Sequence, residues 1–284
     1  MRIENILGGI DFEKDTEKVL AYASFFAKSF SASLTLLHVI DYLMTPPSYL
    51  IPYIEEEKRA AEKKFDILKR ELQASRLQVG TMAMVGRLQE SFCDAVKNTK
   101  SDMVVLGFIS HIVRRSSSEK LIKSLRIPIL IVRGDKAESS LRVIPLRIGK
   151  ILCPTDFSKI SGRALNVARE LAERFSAQLE ILHVFPNHMF EQMKTVRDRD
   201  SLLKELRDEA MEKLGKFIHS SGLTKAGEMV EGEPDKRIVS FAKEKDVDLI
   251  VIGARGLGLL QGMIIGSVTD AVLKTSPCPV LVIH

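Results

Sequence analysis

The residues of this sequence best suited to binding chemistry are glycines in its last third. Gly253 and Gly256 are followed, after nine further residues, by Gly266 and Ser267, and the group lies between a strand-like apolar run and a helix-like run. Glycines just beyond a buried strand let the backbone approach a ligand, and the N–H groups at the start of the next helix attract anions. The spacing therefore indicates a phosphate-binding loop. A purely structural turn, which glycine also serves, is the alternative.

The chain contains two copies of one pattern. Residues 6–12 (ILGGIDF) recur at 151–157 (ILCPTDF), and residues 30–39 (FSASLTLLHV) recur at 175–184 (FSAQLEILHV), both at an offset of 145 residues. Repeats of this length indicate a duplicated structural unit. We therefore expect two domains: residues 1–133, a linker at 134–147 that mixes charges with serines and a proline, and residues 148–284.

Each copy alternates short Val, Ile and Leu runs with amphipathic segments, which is typical of β-α units around a parallel sheet buried on both faces. The predicted fold class is α/β, with two tandem Rossmann-like domains, each a five-stranded parallel sheet with helices on both faces. Ser158 is the expected N-cap of the helix after the first strand of the second copy, and Pro234 suits the first turn of a later helix. The predicted strands of that copy lie near residues 150–154, 178–185, 225–231, 247–252 and 280–283.

This topology predicts where a ligand would lie. In an open parallel sheet, ligands bind beyond the carboxyl ends of the strands, where the strand order reverses. The residues just after the first and fourth strands of the second copy are Pro154, Thr155 and Asp156 and the glycine loop, so we expect them to converge. Asp156 also suits a plain turn or capping role.

Composition narrows the class of protein. The 284 residues carry a net charge of +5, spread as mixed charges along the predicted helices without a basic block, so nucleic-acid binding is not expected. No window offers the ~20 apolar residues of a membrane span, and the N-terminus has no signal-peptide pattern. Cys93, Cys153 and Cys278 lie far apart and form no CxxC motif, which favours a reducing cytoplasm.

Other candidate groups have ordinary explanations. His183 and its counterpart His38 end apolar strand runs and are expected to be core or near-core histidines. Cys153 precedes the predicted site, where we expect a buried, inert thiol. The sequence has no GxxxxGK[ST] motif, so it is not a P-loop protein.

The second copy resembles a nucleotide-binding universal stress protein domain, whose pattern is Gly, two residues, Gly, nine residues, then Gly followed by Ser or Thr. Gly253, Gly256, Gly266 and Ser267 meet every position of that pattern. Residues 154–156 (PTD), 182–184 (LHV), 232–234 (GEP) and 276–279 (SPCP) extend the resemblance. The whole chain is therefore similar to a tandem universal stress protein, with an adenine nucleotide alpha hydrolase-like fold.

The resemblance implies a binding role for each matching position. Asp156, with Pro154 and Thr155 in its turn, would lie at the nucleoside end, and the Val184 backbone would meet adenine. Ribose and phosphates would be held by Gly253, Gly256, Gly266, Ser267 and the Val268 N–H, with Arg255 adding a charge-assisted contact. The implied cofactor is ATP, with Mg²⁺ held mainly by the phosphates. The family also pairs two domains through their last strands, which implies an intramolecular pseudo-dimer and homo-oligomers.

Copy one departs from the motif. Gly107 persists, but Arg115 and Ser116 stand opposite Gly266 and Ser267, and the loop 108–114 lacks glycine. We expect this copy to be a degenerate partner that does not bind ATP in the family's manner, although the segment 114–118 (RRSSS) could attract an anion.

The function predicted from these features is that of a cytoplasmic, nucleotide-dependent stress-response sensor or adaptor with an unidentified protein partner. Two alternatives stay open. One is a slow ATPase or an enzyme that phosphorylates itself, for which no catalytic residue is assigned. The other is an interaction module that binds no nucleotide.

Overall fold

A computed structural model of the chain describes residues 1–12, 16–41, 50–74, 76–107, 121, 124–132, 146–186, 199–224, 226–256 and 265–284. The chain forms two compact units, Met1–Leu146 and Arg147–His284. The division falls within the segment predicted as a linker, and residues 134–145 of that segment lie outside the described residues.

The first unit alternates strands and helices, as its sequence pattern predicted. Its strands are β1 (Asn5–Gly9), β2 (Ser33–Asp41), β3 (Val79–Gly86), β4 (Met103–Gly107) and β5 (Ile129–Val132). Its described helices are α1 (Thr16–Phe30), α2 (Ile51–Gln73) and α3 (Leu88–Thr99).

The second unit repeats this arrangement. Its strands are β6 (Lys150–Thr155), β7 (Gln178–Phe185), β8 (Glu228–Glu231), β9 (Leu249–Gly253) and β10 (Val280–Ile283). Its described helices are α4 (Lys159–Phe175), α5 (Arg199–Ser220), α6 (Pro234–Glu244) and α7 (Ser267–Thr275).

Both units contain a five-stranded parallel sheet with the same strand order. Within the first unit the order is β3-β2-β1-β4-β5, and within the second it is β8-β7-β6-β9-β10. The direction of winding reverses between β1 and β4 in one unit and between β6 and β9 in the other. The predicted Rossmann-like topology is confirmed, and its switch point lies beside the expected site.

The central strands form the core. All residues of β9 are buried, and in β6 only Lys150 is partly exposed. Since successive side chains of a strand point to opposite faces, burial along the whole strand means that both faces of the sheet are covered. Branched apolar side chains such as Ile151, Leu249 and Leu281 have no exposed surface.

Helix starts follow the predicted local chemistry. Ser158 caps α4, and its Oγ accepts a hydrogen bond from the Ser161 N–H at 3.1 Å. Pro234 is the first residue of α6, where its missing N–H costs nothing. Among the helices described here, none is long and apolar enough to span a membrane.

Candidate functional site

The first side of the site is the turn after β6. Pro154 and Thr155 are the last two residues of that strand and are buried, and Asp156 follows them, partly exposed. The Thr155 Oγ1 accepts a hydrogen bond from the Phe157 N–H at 3.0 Å, and the Asp156 Oδ1 accepts one from the Ser158 N–H at 3.1 Å. Asp156 therefore has the turn-stabilising role that is the alternative, from sequence alone, to a binding role.

Phe157 follows Asp156 in this turn and anchors it by packing. Its backbone is left-handed, with φ of 66°, a conformation that side chains other than glycine rarely adopt. Its ring packs on His183 at a centroid distance of 4.3 Å and meets Phe217 of α5 edge-on at 5.7 Å. We call these three rings the His–Phe–Phe stack. Packing between distant elements thus holds the strained residue that follows Asp156.

His183 is a near-core residue, as the sequence indicated. Its side chain is partly buried, and its Nδ1 lies 2.9 Å from the carbonyl oxygen of Thr155. Burial lowers the pKa of His183 below its usual 6.5, although the bond to Thr155 and the charge of Asp156 oppose that shift. The neutral ring then donates its Nδ1–H to the carbonyl and connects the end of β7 to the end of β6.

The first unit contains the same stack. Phe12 has a φ of 61°, packs on His38 at 4.8 Å and meets Phe65 of α2 edge-on at 5.1 Å. The Nδ1 of His38 lies 3.0 Å from the Ile10 carbonyl oxygen. Because this unit lacks the full glycine motif, the stack belongs to the fold rather than to the glycine loop.

The second side of the site begins at Gly253, the last residue of β9. A Cβ at this position would stand 2.9 Å from the Ile160 Cγ2 and 3.3 Å from the backbone nitrogen of Ser161. Glycine therefore lets α4 pack closely against the end of β9. The Gly253 carbonyl oxygen accepts a hydrogen bond from the Thr269 Oγ1 at 2.8 Å, which fixes the start of α7 at the end of β9.

Gly256 brings the two sides of the site together. A Cβ at residue 256 would overlap the Oδ2 atom of Asp156 and lie 3.4 Å from its Cγ. The carboxylate of Asp156 thus lies directly against the backbone of the glycine loop. The turn after β6 and the loop after β9 converge, as the strand order predicted.

The loop closes where Gly266 returns to its start. The Gly266 N–H donates to the Ala254 carbonyl oxygen at 2.8 Å. Gly266 has a φ of −71°, which any residue adopts, and an added Cβ would meet only ordinary contacts of 3.6 Å or more. Nothing in the described protein therefore requires glycine at this position. Residues 257–264, whose apolar side chains were expected to form a lid or a packing surface, lie outside the described residues.

Helix α7 starts beside this closure and directs its first N–H groups there. Its N-cap is Gly266, which has no side chain to satisfy them. Ser267 is exposed at the first helical position, Val268 is partly exposed, and Thr269 is buried. Uncapped N–H groups and the positive end of a helix together favour an anion. Arg255 is also partly exposed in the loop and would add positive charge.

Val184 lies on the strand next to the Asp156 turn. The pairing of β6 with β7 ends at Thr155 opposite His183, whereas β7 continues through Val184 to Phe185. Val184 is therefore one residue past the end of β6, and its backbone has no strand partner on that side among the described residues. This places it at the same edge of the sheet as Asp156.

The remaining candidates for chemistry are the Cys153 thiol and clusters of metal-ligating side chains. Cys153 is fully buried, as expected, and burial raises its pKa to about 12, which favours the protonated thiol at neutral pH. In the described ranges, no cluster of three or more His, Cys, Asp or Glu side chains is placed to hold a metal ion.

The first unit keeps open space at the equivalent place. A cavity of about 440 Å³ lies at the ends of β1 and β2 and against α2. Gly107 ends β4, but the segment with Arg115 and Ser116, which the sequence aligns with Gly266 and Ser267, lies outside the described residues. The lining residues are Asp11, Phe12, His38, Val39, Ile40, Asp41, Glu57, Ala60, Ala61 and Lys64.

Sequence reasoning missed two positioning residues. Phe157 has no assigned role in the sequence analysis, although the recurrence of Asp-Phe at both repeat positions is a signal for it. Thr269 gave no signal of its own, because its bond to Gly253 depends on how α7 meets β9.

The fold and this site define the class: tandem Rossmann-like domains of the adenine nucleotide alpha hydrolase-like type. The model of the universal stress protein family matches residues 2–133 and again residues 147–284. The chain belongs to that family, in a tandem arrangement.

Individual relatives agree with this assignment. A universal stress protein of Methanocaldococcus jannaschii is 36% identical over 137 residues, covering 47% of this chain and 81% of the relative. A universal stress protein of Bacillus subtilis is 33% identical over 153 residues, covering 48% of this chain and 98% of the relative. The crystal structure of a universal stress protein from Archaeoglobus fulgidus shares the fold across both units, with a TM-score of 0.73 at 23% identity, over 99% of this chain and 96% of that one.

Proposed function

We propose that the second unit binds ATP and that the chain acts as a nucleotide-dependent sensor or adaptor in a stress response. The observation that carries the proposal is the contact between Asp156 and Gly256, which joins a carboxylate turn to a glycine loop at the switch point of the sheet. A site at this place in a parallel sheet is where a nucleotide is expected.

The phosphates would lie at the start of α7. The N–H groups of Ser267 and Val268, the Ser267 hydroxyl and the Arg255 guanidinium supply donors and positive charge. Gly266 supports this assignment, because the described residues leave room for a side chain there and so do not explain the glycine. In the proposed site, a bulky group at that position would compete with the phosphates for space. Mg²⁺, held mainly by the phosphates, would neutralise part of their charge.

The nucleoside would lie at the other end. Asp156 keeps its Oδ1 on the Ser158 N–H while its Oδ2 faces Gly256, so the carboxylate has a fixed orientation for a ribose hydroxyl or a base amine. The Val184 backbone, one residue past the end of β6, can pair with the edge of adenine. Pro154 and Thr155 would form the floor, and Gly253 would let the loop approach.

The adaptor role needs partners beyond the nucleotide. We propose that the two units form a pseudo-dimer within the chain, that chains associate further, and that an as yet unidentified protein responds to the nucleotide state. The proposed compartment is the cytoplasm. Turnover of ATP is not part of the proposal, because no residue here is assigned to activate water.

The test is titration calorimetry of the full chain with ATP and Mg²⁺, comparing wild type with Gly266→Arg. We expect wild type to bind, and ligand at about a hundred times its Kd to add about 2.7 kcal/mol of stability. Gly266→Arg should lose both effects because its side chain fills the phosphate space. Gly215→Arg is the matched control, since residue 215 has open space around it on α5 and the same charge is added.

Each other outcome decides against part of the proposal. Absence of binding by wild type would favour the interaction module, and unchanged binding by Gly266→Arg would place the nucleotide elsewhere. Steady multiple-turnover release of ADP that is lost in Asp156→Ala, with binding kept, would instead favour the slow ATPase.

A further inference from the structure

The outermost strand of the first unit, β3, pairs with another strand on one side only among the described residues. All eight of its residues pair with β2 on one side, from Val79 opposite Leu34 to Gly86 opposite Asp41. Outside that ladder, no backbone hydrogen bond joins residues 79–86 to any other described residue. Val85 is 43% exposed, which is high for a large apolar side chain. A long edge of this kind presents a row of unpaired N–H and C=O groups.

The second unit has the equivalent strand, β8, and the pairing registers align the two. Met82 stands opposite Leu37, and Glu228 stands opposite the repeat counterpart of that residue, Leu182. Val85 stands opposite Ile40, and Glu231 stands opposite Phe185, which is the repeat counterpart of Ile40. Val85 of β3 therefore corresponds to Glu231 of β8. Two glutamates of β8 are therefore replaced by apolar residues in β3.

The glutamates protect the edge of β8. Glu228 pairs with Lys245 at 3.2 Å, and Glu231 pairs with Arg207 of α5 at 2.5 Å. The strand is also only four residues long. Short length and charged side chains are the usual means by which an edge strand avoids pairing with another chain.

In contrast, β3 has no such protection. Its sequence, VGTMAMVG, contains no charged residue and no proline over eight residues, in a chain of which 28% is charged.

The composition of β3 suits pairing with an identical strand. When two identical strands pair antiparallel about a twofold axis, side chains near the axis meet their own copies, and like charges directly opposite one another destabilise the pair. A strand without charge meets this condition. Its Met82 and Met84 side chains, which are unbranched and adaptable, can adjust to their counterparts.

We propose that β3 pairs antiparallel with β3 of a second copy of this chain, which extends the sheet of the first unit across a twofold axis and forms a closed dimer. The proposal concerns the first unit alone and does not depend on nucleotide binding by the second.

The test uses the full chain in sedimentation equilibrium and in hydrogen exchange followed by mass spectrometry. We expect a reversible dimer of wild type and slower amide exchange in residues 79–86 as the protein concentration rises. Exchange in residues 228–231 should not change. Met82→Glu, which copies β8 into β3, should raise the dimer Kd at least about tenfold, equivalent to about 1.4 kcal/mol.

Met229→Glu is the matched control, because it makes the same change on the outer strand of the second unit and should leave the dimer Kd as in wild type. Circular dichroism of each variant reports folding, and the exchange data on wild type do not depend on any variant. A mass of one chain at every concentration would overturn the proposal. So would a dimer in which residues 79–86 exchange at an unchanged rate, or one that Met82→Glu leaves intact.

Discussion

The Oδ2 atom of Asp156 lies so close to the Gly256 backbone that it would overlap with a Cβ at that residue. The turn after β6 and the loop after β9 therefore pack against each other, and a methyl group added at residue 256 would disturb this packing. The contact joins protein atoms and needs no bound ligand, so mutation can test it directly.

Gly256→Ala should move the Asp156 carboxylate, because the added methyl group overlaps it. Overpacking of this kind costs typically 1–3 kcal/mol, and we expect about 1 kcal/mol here because the obstructing atom is the end of a side chain. ATP affinity should fall at the same time. Urea unfolding and calorimetry measure the two effects.

A double-mutant cycle is the control for that clash. Gly256→Ala in an Asp156→Gly background has no carboxylate to displace, so its stability cost should disappear. Equal costs in both backgrounds would mean that the methyl group acts through some other contact.

Gly253→Ala and Gly266→Ala should differ in their effect on stability, because glycine is needed for packing at residue 253 but not at residue 266. At residue 253 the methyl group would lie 2.9 Å from the Ile160 Cγ2 and 3.3 Å from α4 backbone atoms, so we expect a loss of about 1–3 kcal/mol. At residue 266 the contacts are ordinary and φ is −71°, so stability should stay within about 0.5 kcal/mol. Urea unfolding measures the free energy of unfolding of the two variants. Equal losses of stability would show that the two glycines do not differ in their packing roles.

His183 should make stability depend on pH. Burial lowers its pKa in the folded chain below 6.5, while the unfolded chain keeps that ordinary value. Well above pH 6.5 the histidine is neutral in both states and the stabilisation is complete. As the pH falls below 6.5 the unfolded chain binds the proton first, so the free energy of unfolding decreases until the pH passes the folded pKa.

The measurement is the free energy of unfolding from urea titrations between about pH 7.5 and pH 5.5, the range in which histidine titrates. His183→Asn should show a smaller decrease on acidification than wild type. Parallel curves for the two proteins would show that His183 has the same pKa folded and unfolded.

Cys153 should resist alkylation in the folded chain. With a pKa of about 12 and no exposed surface, it offers almost no thiolate to iodoacetamide near neutral pH. Cys93, which is partly exposed, should be modified first. Peptide mass spectrometry over time, with and without urea, measures both rates. Rapid labelling of Cys153 without urea would show that the end of β6 opens locally.

Local signals predicted much of this molecule. The period of the apolar runs gave five strands in the second unit, and residue types alone marked the cap at Ser158 and the helix start at Pro234. The third strand begins at Glu228 rather than near residue 225, because its pairing with β7 starts at Glu228, opposite Leu182. Strand order then brought Asp156 and the glycine loop together.

The remaining features depend on contacts between distant elements. The left-handed Phe157 is stabilised by His183 on β7 and Phe217 on α5, and neither spacing nor propensity connects those three residues. The guarded edge of β8 is similar, since Arg207 and Lys245 reach the strand from two different places in the chain. Such contacts become visible only once the elements are placed.

The His–Phe–Phe stack occurs in both units, including the one whose sequence lacks the full glycine motif. The packing that holds the turn after the first strand is therefore independent of the residues proposed to bind phosphate. Substitutions in the glycine loop can alter ligand chemistry while this part of the scaffold keeps its geometry.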